Sequence, residues 1–225
     1  KSTFAALTSG DYNVGLGYNA LAANTTASNN VAIGREALAT NITGQYNVAV
    51  GSFAHDLSTA GNNNTAIGYM STTVSTANDN TAVGYLSLEV NTTGTENVAV
   101  GGQALDANTT ASSNTAVGYL ALTTNTTGAN NVALGRSALA ANTTGADNTA
   151  IGKYTLDANT TASYNVAIGN AALSANTTGA NQTAIGRKAM EDTTTGGYNT
   201  AVGAEALGNN LTGVHNVALG YISQL

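Results

Sequence analysis

Hydrophobic and polar positions recur along the chain with a strict long period. The segment Asn-(Val/Thr)-Ala-(aliphatic)-Gly, with small variations, occurs thirteen times, and the spacing between copies is 17 residues except for one spacing of 16. We number the first residue of each copy as position 0 and call each copy, up to the next, a coil. So short a period, with glycine in every copy, is typical of a solenoid. Coils 1 to 13 begin at Asn13, Asn30, Asn47, Asn64, Asn80, Asn97, Asn114, Asn131, Asn148, Asn165, Gln182, Asn199 and Asn216.

Alternation inside the repeated segment predicts a short β-strand. Position 1 is Val or Thr in every copy and position 3 is always aliphatic. Both side chains therefore project from the same side of an extended chain. Position 2 is small and projects from the other side. We expect the position-3 column to form the structural core: Leu16, Ile33, Val50, Ile67, Val83, Val100, Val117, Leu134, Ile151, Ile168, Ile185, Val202 and Leu219.

The rest of each coil predicts a second short strand. Position 8 is usually Leu, and glycine at position 4 with a small residue at position 14 supplies the corners. Runs such as residues 35–39 are too short for a stable helix. The predicted fold is therefore all-β, a parallel β-roll or β-solenoid of about thirteen 17-residue coils. We expect a single repeat domain over residues 1–225, irregular around 52–79, as a segment of a longer fibre.

Two polar columns accompany the apolar ones. Asparagine recurs at positions 0 and 11, where stacked coils can align the side chains as amide ladders. Threonine recurs at position 13 and forms a regular column of hydroxyl groups. Ile42 and Leu211 at the neighbouring position 12 indicate that this threonine row is partly buried.

The small side chains at position 2 allow two interpretations. They either fill a narrow interior or let a second chain approach closely, and the thin core of one chain slightly favours the second interpretation. The expected assembly is then a side-by-side homotrimer or an end-to-end fibre. The candidate intersubunit face is Ala32, Ala49, Ala66, Ala82, Ala99, Ala116, Ala133, Ala150, Ala167, Ala184, Ala201 and Ala218.

The repeat resembles two known groups of proteins. Residues 29–51, Asn-Asn-Val-Ala-Ile-Gly-Arg-Glu-Ala-Leu-Ala-Thr-Asn-Ile-Thr-Gly-Gln-Tyr-Asn-Val-Ala-Val-Gly, resemble the YadA-like head repeats of trimeric autotransporter adhesins. Residues 80–94 and 114–128 are similar to repeat arrays in phage and giant-virus fibre proteins. The resemblance implies three parallel β-rolls about a common axis, on a bacterial cell surface or in a virion fibre. Coils of 17 residues are longer than is typical of the adhesin heads.

Composition narrows the range of functions. Charged residues make up 8% of the chain and the net charge is −6, which argues against nucleic acid as a partner. Cysteine is absent, His55 and His215 lie in distant coils, and the carboxylates are mostly isolated. We therefore expect no catalytic residues, no metal site, no cofactor and no enzymatic activity. No run of apolar residues is long enough for membrane insertion.

Position 5 varies more than its neighbours and carries large polar and aromatic residues. This variation predicts an edge that faces solvent, where Tyr and Arg can recognise a ligand by stacking and hydrogen bonding. The candidate recognition row is Tyr18, Arg35, Tyr69, Tyr85, Tyr119, Arg136, Lys153, Arg187 and Tyr221.

The function that these patterns favour is structural and adhesive. We expect an extracellular β-solenoid rod that presents a surface for attachment to a host cell, through a glycan or a receptor. The alternative is an ice-binding β-solenoid that uses the threonine column.

Overall fold

The structure, a computed structural model, describes residues 3–72 and 75–224. Turns and bends connect thirteen strands of three residues each within those ranges. The strands are β1 Val14–Leu16, β2 Val31–Ile33, β3 Val48–Val50, β4 Thr65–Ile67, β5 Thr81–Val83, β6 Val98–Val100, β7 Thr115–Val117, β8 Val132–Leu134, β9 Thr149–Ile151, β10 Val166–Ile168, β11 Thr183–Ile185, β12 Thr200–Val202 and β13 Val217–Leu219.

The chain divides into two compact units, Lys1–Ser113 and Asn114–Leu225. The first unit holds β1 to β6 and the second holds β7 to β13. Inside each unit every strand pairs in parallel with the next one, at equivalent positions of the repeat; Ala32 pairs with Ala49, and Ala133 with Ala150. The predicted parallel β-solenoid with one strand at each repeated segment is confirmed.

Each strand is followed directly by the glycine of position 4, and Gly135 shows why only glycine serves there. Its φ of +135° lies where residues with a side chain are strained, and a Cβ on Gly135 would lie 2.6 Å from the carbonyl oxygen of Gly152 in the next coil. Successive coils therefore touch through their backbones at this corner.

The second strand predicted around position 8 does not form. Positions 6 and 8 adopt the left-handed region in coil after coil, as at Glu36 (φ 56°) and Leu38 (φ 49°). A strand sends successive side chains to opposite faces, whereas here the adjacent Ala37 and Leu38 are both fully buried. The change in the sign of φ allows this, and the bond from Leu38 N–H to the Ala54 carbonyl, 3.0 Å, links the turn to the next coil.

The interior is lined by the alanines of position 2, by residues at position 7, and by the leucines of position 8. Ala133 is 0% exposed in the single chain, as are Ala138 and Leu139. The interior is too narrow for two rows of large side chains, so leucine from the turn faces alanine from the strand. The prediction that the alanine column is an intersubunit face is wrong, since these residues are buried within the chain: Ala32, Ala49, Ala66, Ala82, Ala99, Ala116, Ala133, Ala150, Ala167, Ala184, Ala201 and Ala218.

The position-3 column lies on the opposite, outer side of the sheet. The prediction that it forms the core of the chain is wrong for the same reason, because alanine occupies the inward side of each strand. All of its members are half-buried or exposed: Leu16, Ile33, Val50, Ile67, Val83, Val100, Val117, Leu134, Ile151, Ile168, Ile185, Val202 and Leu219.

The asparagine columns form the predicted amide ladders inside the coils. At position 0, the Asn47 backbone N–H donates to Asn30 Oδ1 at 2.9 Å, and Asn30 Nδ2 donates to the Gly44 carbonyl at 2.9 Å. At position 11, Asn41 Nδ2 donates to the same carbonyl at 2.9 Å, and the Gly44 N–H donates back to Asn41 Oδ1. The two ladders therefore meet at position 14, which explains why fully buried amides are tolerated there.

Gly15 is the single exception in the alanine column, and Phe4 accounts for it. Phe4 lies one repeat before Leu21, and its N–H donates to the Ala20 carbonyl at 3.2 Å, so residues 4–9 pack on coil 1 as part of a coil. Phe4 carries a larger side chain than the usual leucine. A Cβ on Gly15 would lie 2.5 Å from Cγ2 of Thr3 and 2.9 Å from atoms of the Phe4 ring, so Gly15 leaves room for both side chains.

Candidate functional site

The position-5 column lies on the surface, which confirms the predicted solvent-facing edge. Because it follows the glycine corner, its side chains leave the coil where the backbone turns away from the sheet. All nine residues of the predicted row are exposed: Tyr18, Arg35, Tyr69 and Tyr85 in the first unit, and Tyr119, Arg136, Lys153, Arg187 and Tyr221 in the second. A role for them in recognition stays a prediction.

In the first unit, four consecutive coils join their side chains into one stack, which we call the aromatic stack: Arg35, Phe53, Tyr69 and Tyr85. The Arg35 guanidinium lies 5.0 Å from the centre of the Phe53 ring. Phe53 contacts Tyr69 edge to face, with ring centres 6.1 Å apart, and Tyr69 lies nearly parallel to Tyr85, with centres 5.8 Å apart. Such contacts hold large exposed side chains in defined positions.

In the second unit the same edge carries charged pairs and cation–π contacts. Arg136 and Lys153 both lie over the ring of Tyr154, at 5.7 Å and 4.6 Å from its centre. Arg187 forms an ion pair with Glu205 of the following coil. The first unit thus carries one arginine and three aromatic rings in a joined stack, whereas the second carries both tyrosines and cations, with the cations paired to Tyr154 and Glu205.

Position 6 completes this edge, although its residues were not predicted from the sequence. Phe53, Tyr154 and Glu205 all stand at position 6, and each contacts the position-5 side chain of the preceding coil. A backbone bond fixes the pairing, as where the Phe53 N–H donates to the Arg35 carbonyl at 2.8 Å. The variability of position 6 was the available signal, but the left-handed conformation that turns it outward is not visible in the sequence.

A second surface is the outer face of the sheet in each unit. Positions 1 and 3 both project from it, so that each unit carries two parallel rows of Val, Thr, Ile and Leu side chains. Exposed fractions of 38% at Ile67 and 45% at Leu134 are large for aliphatic side chains in the middle of a sheet. This partly apolar surface is a candidate interaction site.

The threonine column at position 13 is exposed in every coil that carries it. At position 12 the threonine hydroxyls bond instead to the next coil, as where Thr143 Oγ1 donates to the Thr160 carbonyl at 3.0 Å. Ile42 and Leu211 are 44% and 59% exposed, so the expectation that this row is partly buried is wrong. Both positions lie in bends, where no strand holds two threonine rows on one flat face.

Coils 3 and 4 contain an unusual buried polar group. His55 replaces the leucine of position 8 and is fully buried, and its Nδ1 lies 3.1 Å from the Thr72 carbonyl. That contact requires the proton on Nδ1, which leaves Nε2 without a hydrogen-bond partner among residues 3–72 and 75–224. Burial lowers the pKa of His55 from 6.5 to about 4, and the bond to Thr72 opposes this shift.

Other unpaired buried atoms also mark departures from the repeat. Ser58 and Thr193 stand at position 11, where the longer asparagine side chain would continue the ladder, and neither hydroxyl has a partner in the described part of the chain. Asp56 follows His55 at position 9. Burial raises the pKa of Asp56 to about 6, an effect that bonds from backbone N–H groups oppose and the charge of Glu36 reinforces.

The two histidines lie in different units. His215 lies at the surface and stacks on Tyr198 with ring centres 5.2 Å apart, in the second unit, whereas His55 is inside the first. Among the described residues no group of three His, Cys, Asp or Glu side chains is arranged to hold a metal ion. Within the same residues no helix has the length and apolar character to cross a membrane.

Comparisons of the chain with protein-family models, with curated proteins and with solved structures find no match.

Proposed function

We propose that this chain is a structural and adhesive fibre segment, in which copies associate side by side through the outer face of the sheet. The observation that carries the proposal is the pair of aliphatic and β-branched rows on that face in each unit. Water contact with these rows is unfavourable, and a neighbouring copy with the same repeat offers a matching apolar surface.

Three copies in parallel are the assembly that we propose. Parallel copies keep equivalent coils at the same height, so every coil contributes its own pair of outer side chains to the contact. The resemblance to YadA-like heads supports closure after three copies rather than two. An extracellular position, on a bacterial surface or in a virion fibre, belongs to the same proposal.

Attachment is assigned to the edge formed by positions 5 and 6. This edge combines exposed aromatic and cationic groups, which are enriched where proteins recognise partners, and it leaves the sheet face free for association. We propose no catalytic step and no cofactor.

The mass of the chain in solution tests the assembly. We expect sedimentation equilibrium to give three times the chain mass of 22.3 kDa. The variant Leu134→Lys places a charge on the outer face and should shift the mass towards that of one chain. The matched control Thr144→Lys adds the same charge at an exposed bend and should leave the mass unchanged. A wild-type protein that sediments as a single chain would overturn the proposed assembly.

Ice binding is the second candidate function, because the position-13 threonines form an exposed hydroxyl column at a regular spacing. Thermal hysteresis of the purified protein measures it directly. Ice binding would lower the freezing point below the melting point. A variant with several of these threonines changed to Lys should then lose the difference between the two temperatures. Equal freezing and melting points would exclude it.

A further inference from the structure

We propose that the end of the aromatic stack in the first unit, formed by Tyr85, Gly102 and Gln103, is a binding site for one neutral hexopyranose ring of a surface glycan. The proposal rests on the adhesive role proposed above and assigns it a ligand class and a position.

The stack stops at Tyr85 because the next coil has no side chain to continue it. Each member of the stack before Tyr85 contacts a side chain from the following coil: Arg35 contacts Phe53, Phe53 contacts Tyr69, and Tyr69 contacts Tyr85. The position-5 residue after Tyr85 is Gly102. One face of the Tyr85 ring thus lacks a neighbour from its own column within the first unit, and Tyr85 is 56% exposed.

A ring at the column position of Gly102 would have the spacing at which Tyr85 stacks on Tyr69. Tyr69 and Tyr85 come from successive coils, and their centres are 5.8 Å apart when both carry a ring. This separation lies within the range of about 4.5–7 Å for stacked rings. A six-membered ring in the place of the missing side chain would therefore stack on Tyr85 as Tyr85 stacks on Tyr69.

Gln103 supplies a polar group beside that ring face. Its N–H donates to the Tyr85 carbonyl at 2.8 Å, the same backbone bond that joins Phe53 to Arg35. In the pair of Phe53 and Arg35, the position-6 side chain contacts the position-5 side chain of the preceding coil. Gln103 stands in the same relation to Tyr85. Its carboxamide can both donate and accept hydrogen bonds.

These groups fit a neutral sugar better than other planar or cyclic ligands. A pyranose ring has an apolar face of C–H groups, which can cover an aromatic ring, and hydroxyl groups at its rim, which can bond a carboxamide. No cation belongs to the trio, and the chain has a net charge of −6, so phosphates, nucleotides and acidic sugars are disfavoured. A single stacked ring gives weak binding, which repetition in an assembly of three chains would strengthen.

The arrangement also explains why the other rings of the stack are not equivalent sites. Tyr69 already contacts two rings, Phe53 in an edge-to-face arrangement and Tyr85 in a stacked one. Phe53 and Tyr69 instead hold Tyr85 in position, so little conformational freedom is lost when a ligand binds.

The test uses the full chain and three simple probes: methyl β-D-glucopyranoside, methyl β-D-galactopyranoside and methyl α-D-mannopyranoside. We expect at least one of them to shift one set of tyrosine ring signals saturably in NMR titrations. Saturation transfer should reach the C–H groups on one face of the sugar. Tyr85→Ala and Gly102→Tyr should each weaken binding at least tenfold, since one removes the platform and the other fills the gap.

Tyr18→Ala is the matched control. Tyr18 stands in the same column and is 47% exposed, but it is followed by Arg35 rather than by glycine, so binding should remain within twofold of wild type. Circular dichroism confirms folding of each variant. If Gly102→Tyr does not fold, Gly102→Asn replaces it, since position 5 carries asparagine at Asn170.

Absence of a saturable shift with all three glycosides overturns the proposal, as does binding that survives Tyr85→Ala. The sedimentation experiment is independent: a trimer that binds no glycoside would refute this site alone, and a single chain that binds one would refute only the assembly.

Discussion

At the scale of single residues, His55 makes the stability of coils 3 and 4 depend on pH. The imidazole is fully buried and its pKa is lowered to about 4, whereas in the unfolded chain it would be 6.5. The unfolded state therefore binds the proton more readily. The folded state keeps its full stability above pH 6.5 and loses stability as the pH falls towards 4.

We predict that His55→Leu removes this dependence. Leucine occupies the same position with the same sign of φ in most coils, so it should fit, and it removes the unpaired Nε2. The variant should exceed wild type in unfolding free energy at pH 7, and the difference should grow by about 3 kcal/mol at pH 4. Denaturant unfolding at a series of pH values measures it; a difference that does not change with pH would contradict the buried, neutral histidine.

Asp56 acts in the opposite direction and serves as the control. Its raised pKa of about 6 means that the folded state gains stability as the pH falls through 6 towards the ordinary value of 3.8. The unfolding free energy of the wild type should therefore change less between pH 7 and pH 4 than that of Asp56→Asn, in which only the effect of His55 remains.

At the scale of the element, the position of each strand could be predicted from the sequence, but the side of the strand that faces the interior could not. Alternation in Val-Ala-Leu at Val132–Leu134 defines two sides but not which side is inner, and the larger side chains suggest the wrong one. The space in the interior determines which side faces inward. Leu139, from the turn, is fully buried there together with Ala133, so a second large side chain does not fit. The turn was likewise mistaken for a strand, because left-handed non-glycine residues leave no mark in composition. The exposed edge at position 5 was found because variability signals exposure without any knowledge of the backbone.

We predict opposite results from two neighbouring substitutions in β8. Ala133→Leu should lower the unfolding free energy by about 1–3 kcal/mol or prevent folding, because the interior has no space for the added atoms. Leu134→Ser should leave folding of the chain nearly intact and weaken only self-association. Thermal unfolding and sedimentation on both variants separate these effects; a stable Ala133→Leu protein would contradict the packing described above.

The asparagine ladder gives a further prediction at this scale. Asn142 Nδ2 donates to Asn125 Oδ1 at 2.8 Å and to the Gly145 carbonyl at 2.9 Å, and Asn142 Oδ1 accepts from Asn159. Asn142→Ala leaves these partners buried and should cost about 1–3 kcal/mol or more. Thr144→Ala, two residues away and exposed, should stay within about 0.5 kcal/mol of wild type in chemical denaturation. Equal effects of the two substitutions would mean that the ladder contributes little.

At the scale of the whole molecule, stability is a sum of coils and contacts between neighbouring coils. Two adjacent coils of the first unit lack the regular leucine: His55 and Thr72 stand in its column, and both have unpaired polar atoms within the described residues. The spacing of 16 residues between anchors also falls here. These coils should be the least stable internal part of their unit.

Hydrogen exchange measured by mass spectrometry tests this prediction. Peptides from residues 52–72 should exchange faster than peptides from residues 98–111 of the same unit, and His55→Leu should slow the exchange of the first set. Uniform protection across the unit would show that neighbouring coils compensate for the irregular ones.

The buried ladder has a consequence for covalent modification. Asn142 begins an Asn-Thr-Thr sequence, the acceptor pattern for N-linked glycosylation, and most other ladder asparagines at position 11 do the same. Yet the Nδ2 atom that would carry the sugar is fully enclosed and donates its hydrogens to two neighbours. In a compartment that holds a glycosyltransferase, the enzyme could reach this atom only before the coil closes, and a sugar added then would block closure. There, folding and glycosylation would compete for the same nitrogen atom.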